Sequence, residues 1–548
     1  MAKKRKKRAS AKSRSSHRHI SRKNQKDQKI HKTKHSMKSK HVSKQGSKKK
    51  ESGKTGSNIK LLNSYNIRSG GIPVTVKIYS QEDEFVPLYT VQLSTLGKTT
   101  AMMLEKIREE LIDRVNLGIV DISDKKNADI AEKKFSEATL TLIKKYFPSL
   151  DAETERFLTS YLVKKSLGMG DLELLMSDAN LEEIAVNSAS EPIWVYHKQF
   201  GWLKTNIILD NEAQVQHYAT MIGRRVNRQI TVLEPLMDAT LLTGDRVNAT
   251  LNPISSTGNT ITIRKFAAQP WTITDFLRVR SISPSAAALI WECVHYEMSG
   301  LIAGGTASGK TSMLNVVSNF FPPNQRIISI EDTREIKLPK FLHWVPMVTR
   351  LANNEGKGEV TMLDLLVNSL RMRPDRIIVG EIRRKKEAEV LFESIHTGHS
   401  VYATVHANNT EETITRLTAP PIEVPKSMLP AVSMLIVQYR NRRSGLRRTF
   451  EFSEIKKDGD PNVLMRYDVS KDVLQRKSNS VAIRDNLELY TGASRSSIKK
   501  ELAEKESVLK WLVKQKINSV DSVGRVMAEY YTNKDHLMKI VRSNKPLR

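Results

Sequence analysis

Residues 304–311 have the side chains and the spacing that binding of a nucleotide phosphate requires. The run GGTASGKT fits the pattern G-x-x-x-x-G-K-[ST]. Glycines let successive backbone N–H groups face phosphate oxygens, the lysine adds a positive charge, and the threonine hydroxyl can ligate Mg²⁺. We therefore predict that ATP and Mg²⁺ bind through Gly304, Gly305, Thr306, Ala307, Ser308, Gly309, Lys310 and Thr311.

Two acidic residues follow short apolar runs that are predicted strands. Glu331 comes after residues 326–330, and Glu381 comes after residues 376–379. Hydrolysis of a phosphoanhydride needs one carboxylate to orient or deprotonate water and another to support Mg²⁺. Either residue could be the catalytic base, and Glu381 is also assigned to Mg²⁺ together with Thr311. The alternative is that each acid only caps the helix that follows it.

Two histidines stand near the same segments. His396 and His406 bracket a further predicted strand. A role in sensing the γ-phosphate or positioning water competes with a purely structural role. No third ligand stands at metal spacing, so we expect no zinc.

Arginines in the first half of the chain are candidates for phosphate binding, because the planar guanidinium can hold two phosphate oxygens at once. From a group of five we select Arg246 and Arg264, and after them Arg225. The other members are interpreted as a solvated basic face.

A sheet must hold these residues together. After residue 270, apolar strands alternate with amphipathic helices, which predicts a parallel sheet covered by helices. The predicted strands are 300–303, 326–330, 376–379 and 400–405, and the helices are 310–319, 362–371, 386–395 and 410–417. Upstream, strands are predicted at 74–79, 88–93, 192–196 and 259–264, and helices at 100–115, 128–147 and 152–164. Residues 494–542 are predicted to form helices.

Composition sets the broad class. The chain has 548 residues and no apolar run near the ~18 residues that a membrane span needs. Without an apolar segment at its start, it is expected in the cytoplasm. The single Cys293 excludes an internal disulfide and is expected to be a buried apolar residue.

The net charge of +30 is concentrated at the start of the chain. Residues 1–50 contain 21 Lys and Arg residues and one acid, which leaves +20. Residues 1–58 are therefore predicted to be a disordered polybasic tail. The tail is either simply solvated or binds anionic lipid or nucleic acid, and composition does not choose between these partners.

Four boxes, in this order, resemble the type II/type IV secretion ATPase family, which drives secretion, pilus assembly and archaellum rotation. They are GGTASGKT at 304–311, IEDTREI at 330–336, RPDRIIVGEIR at 373–383 and HTGHSVYATVHANNTEETITRL at 396–417. Residues 181–201 and 235–251 resemble the N-terminal domain of the family, and residues 416–425 and 442–455 look most like its archaeal branch. The chain departs from the family at 384–386, where Arg-Lys-Lys replaces a common glycine.

The resemblance implies an α/β fold with a RecA-like P-loop NTPase domain at 269–490. This domain would follow a region at 59–160 and an α/β, PAS-like domain at 161–268, and would precede a helical appendage at 491–548. The implied assembly is a homo-hexamer at the inner face of the cell membrane. Its implied partners are a polytopic membrane platform protein and pilin-like subunits, with no nucleic acid. Arg246 and Arg264 would approach the phosphates from the N-terminal domain.

The leading hypothesis is thus an ATP-hydrolysing motor. A nucleic-acid-translocating RecA-like ATPase that grips with its basic tail is the main alternative, and a nucleotide-binding regulator with little turnover is another. The sequence leaves open whether such a motor serves archaellum rotation, pilus assembly, secretion or retraction.

Overall fold

The computed structural model describes residues 59–546, except 70–71, 83, 94–97, 115–124, 227, 242, 267–268 and 354–355. The predicted tail at 1–58 lies outside the described residues. Within the described part, two nine-stranded sheets organise the chain. No helix of that part is long and apolar enough to cross a bilayer.

The first sheet belongs to the N-terminal half. Its strands are β1 (Ile59–Ser69), β2 (Ile72–Gln81), β3 (Leu88–Leu93), β4 (Leu181–Val186), β5 (Trp194–His197), β6 (Gly201–Thr205), β7 (Leu236–Thr240), β8 (Arg246–Thr250) and β9 (Thr260–Arg264). The accompanying helices are α1 (Lys98–Arg114), α2 (Lys125–Tyr146), α3 (Ala152–Leu167), α4 (Asp171–Met176) and α5 (Glu212–Arg225). The strand order is β1-β2-β3-β6-β5-β4-β9-β8-β7, and only the β3–β6 pair is parallel among these described strands.

The alternation of buried and exposed side chains along β8 and β9 determines which side of the sheet Arg246 and Arg264 face. Val247 and Ala249 are buried in β8, and Ile261 and Ile263 are buried in β9. Successive side chains of a strand face opposite sides of the sheet, so the residues between them face away from this core. The exposed first position of β8 and last position of β9 are both arginine, and the two positions are paired across the ladder.

The second sheet belongs to the C-terminal half. Its strands are β10 (Gly300–Gly304), β11 (Arg326–Glu331), β12 (His343–Val348), β13 (Arg376–Val379), β14 (Ser400–Val405), β15 (Met434–Arg440), β16 (Arg447–Ile455), β17 (Pro461–Asp468) and β18 (Val473–Arg476). The helices are α6 (Ile273–Arg278), α7 (Pro284–His295), α8 (Lys310–Ser318), α9 (Met362–Ser369), α10 (Lys385–His396), α11 (Thr410–Thr418), α12 (Ala482–Thr491), α13 (Arg495–Lys514), α14 (Val520–Thr532) and α15 (Lys534–Ser543), with a 3₁₀ helix at Lys426–Ala431.

This sheet has the order β12-β11-β13-β14-β10-β15-β16-β17-β18, and its first six strands are parallel. The predicted α/β fold, with a parallel sheet and helices between its strands, is confirmed. Strands β10, β13 and β14 are buried at every position, as expected for a sheet covered on both faces. Strands β16 to β18 add an antiparallel extension that the sequence did not predict.

The C-terminal helices pack against α7 and share its core. Trp291 of α7 is fully buried and lies among Leu509, Leu512 and Val526. The predicted helical character of 494–542 is confirmed by α13 to α15. Cys293, on the same helix as Trp291, is fully buried, as predicted.

Candidate functional site

The glycine-rich segment connects β10 to α8 at the carboxyl edge of the parallel sheet. Gly304 and Gly309 have φ angles of 157° and 98°, and Ala307 has a φ of 58°. A Cβ atom at Gly304 would lie 2.8 Å from the carbonyl oxygen of Gln438, so this position requires glycine. No acidic residue stands in the first turn of α8. The segment therefore has the backbone and the charge that favour an anion.

Lys310 lies over this loop. Its Nζ donates to the carbonyl oxygens of Gly304 at 3.0 Å and Gly305 at 3.3 Å, and is 3.3 Å from Nε2 of His406. Burial lowers the pKa of Lys310, and the positive charge of Arg264 acts in the same direction. The structure thus brings together Lys310, at the start of the helix that follows β10, and His406, which follows the neighbouring strand β14.

Glu381 joins the same cluster. Its Oε1 is 3.3 Å from Nε2 of His406, and its Oε2 accepts hydrogen bonds from Nε and Nη2 of Arg383 at 2.9 and 2.6 Å. Arg383 also donates from Nη1 to Oδ2 of Asp332 at 2.5 Å. Burial lowers the pKa of His406, and the neighbouring ammonium of Lys310 lowers it further. Both effects favour the neutral imidazole.

Glu331 occupies a different environment at the end of β11. Its side chain is 3% exposed. Oε1 accepts hydrogen bonds from the backbone N–H groups of Glu335 at 2.8 Å and Ile336 at 3.0 Å. Oε2 is buried and has no hydrogen-bond partner among the described residues. Burial raises the pKa of Glu331 to about 7, so this carboxyl group exchanges a proton near neutral pH.

Arg246 and Arg264 extend from the N-terminal sheet toward this cluster. Arg246 makes a bidentate ion pair with Asp238, at 3.1 and 2.5 Å. These hydrogen bonds raise the pKa of Arg246, and the negative charge of Asp332 contributes. Nη2 of Arg264 is 3.8 Å from Oε1 of Glu335. Both predicted arginines therefore lie within electrostatic reach of the acids that follow β11.

Two other predicted residues lie elsewhere. His396 ends α10 and precedes β14, whereas His406 follows β14. Six residues at ~3.3 Å each separate them by roughly 20 Å, so His396 is at the opposite edge of the sheet. The structure does not bring His396 to the cluster. Arg225 contacts Sδ of Met221 on its own helix, at 3.9 Å, and is not brought to the cluster either.

Sequence reasoning missed two members of the cluster, Arg383 and Asp332. Both follow strand ends, as Glu381 and Glu331 do, and that shared position was a usable signal. The distance of 51 residues between them hides their ion pair from any local pattern.

The residues present fit Mg²⁺ and a nucleotide phosphate. Among the described residues, no group of three or more His, Cys, Asp or Glu side chains is arranged to hold a metal. Mg²⁺ usually keeps several waters and takes few protein ligands beside substrate phosphates. The Thr311 hydroxyl and the Glu381 carboxylate supply oxygen ligands of the kind Mg²⁺ prefers. The orphaned Oε2 of Glu331 is a buried acceptor that a water molecule would satisfy.

The chain is similar to a known protein family and to individual proteins. A family model described as "Type II/IV secretion system protein" matches residues 169–443. MJ0900 of Methanocaldococcus jannaschii is 35% identical over 392 residues, 69% of this chain and 70% of that protein. The type IV secretion system protein PtlH of Bordetella pertussis is 28% identical over 309 residues, 50% of this chain and 89% of that protein. Among solved structures, the ATPase DotB of Legionella pneumophila aligns at 18% identity with a TM-score of 0.40, over 68% of this chain and 94% of that chain.

Proposed function

Because this chain belongs to the type II/IV secretion system protein family, we propose that it is an ATP-hydrolysing motor of a secretion or pilus-type machine. The observation that carries the proposal is the convergence of Lys310, His406 and Glu381 beside the phosphate loop. Buried Glu331, at the end of the neighbouring strand β11, and Arg246 and Arg264 of the N-terminal sheet are the other residues of the proposed site.

Binding of ATP and Mg²⁺ is assigned to the loop at 304–311. Lys310 neutralises phosphate charge once its ammonium exchanges the loop carbonyls for phosphate oxygens. The Thr311 hydroxyl and the Glu381 carboxylate hold Mg²⁺. Bound Mg²⁺ and ATP supply the Lewis acid and the phosphoanhydride. Arg246 and Arg264 add positive charge from the N-terminal domain, so the distance between the two domains changes the electrostatic stabilisation of the phosphates.

The general base is assigned to Glu331. A base works best when its pKa lies near the working pH, and burial raises that of Glu331 to about 7. Its Oε2 is the acceptor without a partner among the described residues. Oε2 of Glu381 is engaged by Arg383, whereas Oε1 lies 3.3 Å from Nε2 of His406, and this carboxylate is assigned to orienting water and supporting Mg²⁺.

Phosphate release by the purified full chain tests the hydrolysis. Lys310→Ala should abolish nucleotide binding, whereas Glu331→Gln and Glu381→Gln should bind ATP and release little phosphate. Glu389→Gln, on an exposed position of α10, is the matched control. Unchanged phosphate release by Lys310→Ala would refute the proposal. DNA stimulation that survives removal of residues 1–58 would favour the nucleic-acid translocase instead.

The motor is proposed to act as a homo-hexamer at the cytoplasmic side of the membrane, with a polytopic platform protein and pilin-like subunits. Exposed apolar residues in and near the edge strand β7 support self-association, because exposed apolar surface of this kind marks interfaces. These residues are Val232, Leu233, Leu236 and Ile254, which are 62–93% exposed. Light scattering should find a hexamer for the wild type and smaller species for Leu233→Asp. A monomeric wild type with full activity contradicts the ring.

The polybasic segment at 1–58 is proposed to bind anionic lipid. The first 50 residues carry a net charge of +20. Each basic residue near an anionic bilayer surface would contribute about 1 kcal/mol of binding free energy. Flotation with phosphatidylserine vesicles should recover the full chain and not a chain lacking 1–58. Neutral phosphatidylcholine vesicles should recover neither, and equal recovery of both chains would refute the lipid role.

A further inference from the structure

Arg447, the first residue of β16, contacts the phosphate loop. Its Nε donates to the carbonyl oxygen of Ala307 at 3.1 Å. Its Nη2 lies 3.9 Å from Oε2 of Glu182, in β4 of the N-terminal sheet. The two side chains are 35% and 38% exposed. The guanidinium of Arg447 therefore contacts the phosphate loop through Nε and lies near the N-terminal sheet through Nη2.

The contacted carbonyl belongs to a constrained part of the loop. Ala307 has a φ of 58°, a left-handed conformation that non-glycine residues adopt at a cost. The peptide plane is rigid, so holding the Ala307 carbonyl also fixes the direction of the Ser308 N–H. That N–H donates to the carbonyl oxygen of Gly305 at 3.3 Å, so a charged donor on the Ala307 oxygen stabilises this loop conformation.

Glu182 connects this contact to the arginine-bearing strands. It precedes Glu183, which is paired with Arg264 between β4 and β9. Arg264 is in turn paired with Arg246 between β9 and β8. Hydrogen-bonded ladders move as units, so a displacement of this sheet changes the distance from Glu182 to Arg447 as well as the position of both arginines.

We propose that Arg447 is a positioning residue that couples the conformation of the phosphate loop to the placement of the N-terminal sheet. When Glu182 is close, its carboxylate orients the guanidinium, and the guanidinium holds the Ala307 carbonyl. When the N-terminal sheet moves away, Arg447 loses this orientation and the loop loses its restraint. This inference rests on the proposed ATPase function and adds a regulatory link to the same site.

The test uses the full chain and two separate readouts, binding of a fluorescent ADP analogue and steady-state phosphate release. Arg447→Ala should weaken ADP binding about tenfold, which is the loss expected for a charged hydrogen bond that is partly exposed. Arg447→Lys retains one charged donor and should recover most of this affinity. Glu182→Gln should weaken ADP binding by less than Arg447→Ala does and lower kcat about fivefold, because the guanidinium loses its orienting partner but keeps its charge.

Arg443→Ala is the matched control, because Arg443 is an exposed arginine of the turn that precedes β16. If Arg447→Ala binds ADP as tightly as Arg443→Ala does, the contact does not position the loop and the inference fails. If Glu182→Gln has the kcat of the control, the coupling fails. If Arg447→Ala does not fold, the ADP affinity of Arg447→Lys and the kcat of Glu182→Gln still test the proposal. A wild type that binds ADP but releases no phosphate would defeat the proposed function instead.

Discussion

The buried acid Glu331 should make the stability of this protein depend on pH in a direction opposite to that of an ordinary surface acid. The perturbation is Glu331→Gln, which retains an acceptor for the backbone N–H groups of Glu335 and Ile336. The wild-type carboxyl is 3% exposed, and its second oxygen has no partner among the described residues. Burial therefore penalises the ionised form of the wild type, and the amide carries no such penalty.

The magnitude follows from the two pKa values of Glu331, 4.5 when unfolded and about 7 in the folded chain. The folded state binds the proton more tightly, so the stabilisation is complete below about pH 4.5 and is lost as the pH rises to about 7. Each tenfold change in proton affinity corresponds to about 1.4 kcal/mol. The free energy of unfolding should thus fall by about 3 kcal/mol through this group.

The assay is denaturant unfolding of wild type and Glu331→Gln at pH 5 and pH 8, followed by tryptophan fluorescence. Trp344 donates its indole N–H to Ser329 of β11 at 2.9 Å, so the signal reports on the same sheet. The stability of the variant relative to wild type should increase by about 2–3 kcal/mol from pH 5 to pH 8. Glu389→Gln controls for loss of an exposed carboxylate. Parallel pH curves for Glu331→Gln and wild type would refute the reasoning.

Three further predictions concern the C-terminal half. Lys505 and Glu292 form a fully buried ion pair, so Lys505→Ala should lower the unfolding free energy by about 3–5 kcal/mol. The double variant Lys505→Met with Glu292→Leu should recover part of this loss in the same denaturant assay, because it removes both fully buried charges. The recovery is incomplete because Glu501 loses its contact with Lys505 at 3.2 Å. Cys293 is fully buried and burial raises its pKa, so it should react with a thiol reagent only after unfolding. Rapid reaction of the folded chain would contradict this. Ser283 caps α7 by accepting the N–H of Ala286 at 3.2 Å, and Ser283→Ala should cost about 1 kcal/mol, seen as a lower Tm.

Much of the parallel sheet could be predicted because its strands are short, mostly apolar runs between amphipathic helices. Strands β10, β11, β13 and β14 lie at or within one residue of their predicted bounds, and in the other sheet β3 matches the predicted 88–93. Strands β7 and β8 were not predicted, because each has only five residues and contains Asp, Asn or Thr between its apolar positions. Strand β12 was missed because it carries Pro346 and partly exposed side chains.

The candidate site was predictable where chemistry and strand ends coincide. Lys310, His406 and Glu381 all follow parallel strands, and such ends share one edge of the sheet. His396 illustrates the limit: a histidine before a strand resembles one after it in sequence, yet the two lie at opposite edges. Contacts across long separations were out of reach. Arg447 and Ala307 are 140 residues apart, and neither has a neighbour in sequence that indicates the other.

The raised pKa of Glu331 sets both the free-energy cost of burying its ionised form and its strength as a base. An acid that ionised freely would not destabilise the folded chain, but it would hold a proton too weakly to deprotonate water. The pKa of about 7 should therefore appear in two measurements. It is the pH above which the unfolding free energy stops falling, and it is the pKa below which kcat/KM, which reports on the free enzyme, decreases to give an acid limb. Glu381→Gln should lower the rate and retain that limb, whereas Glu331→Gln should remove it. If the limb persisted in Glu331→Gln while the stability change disappeared, Glu331 would be a buried structural acid and not the base.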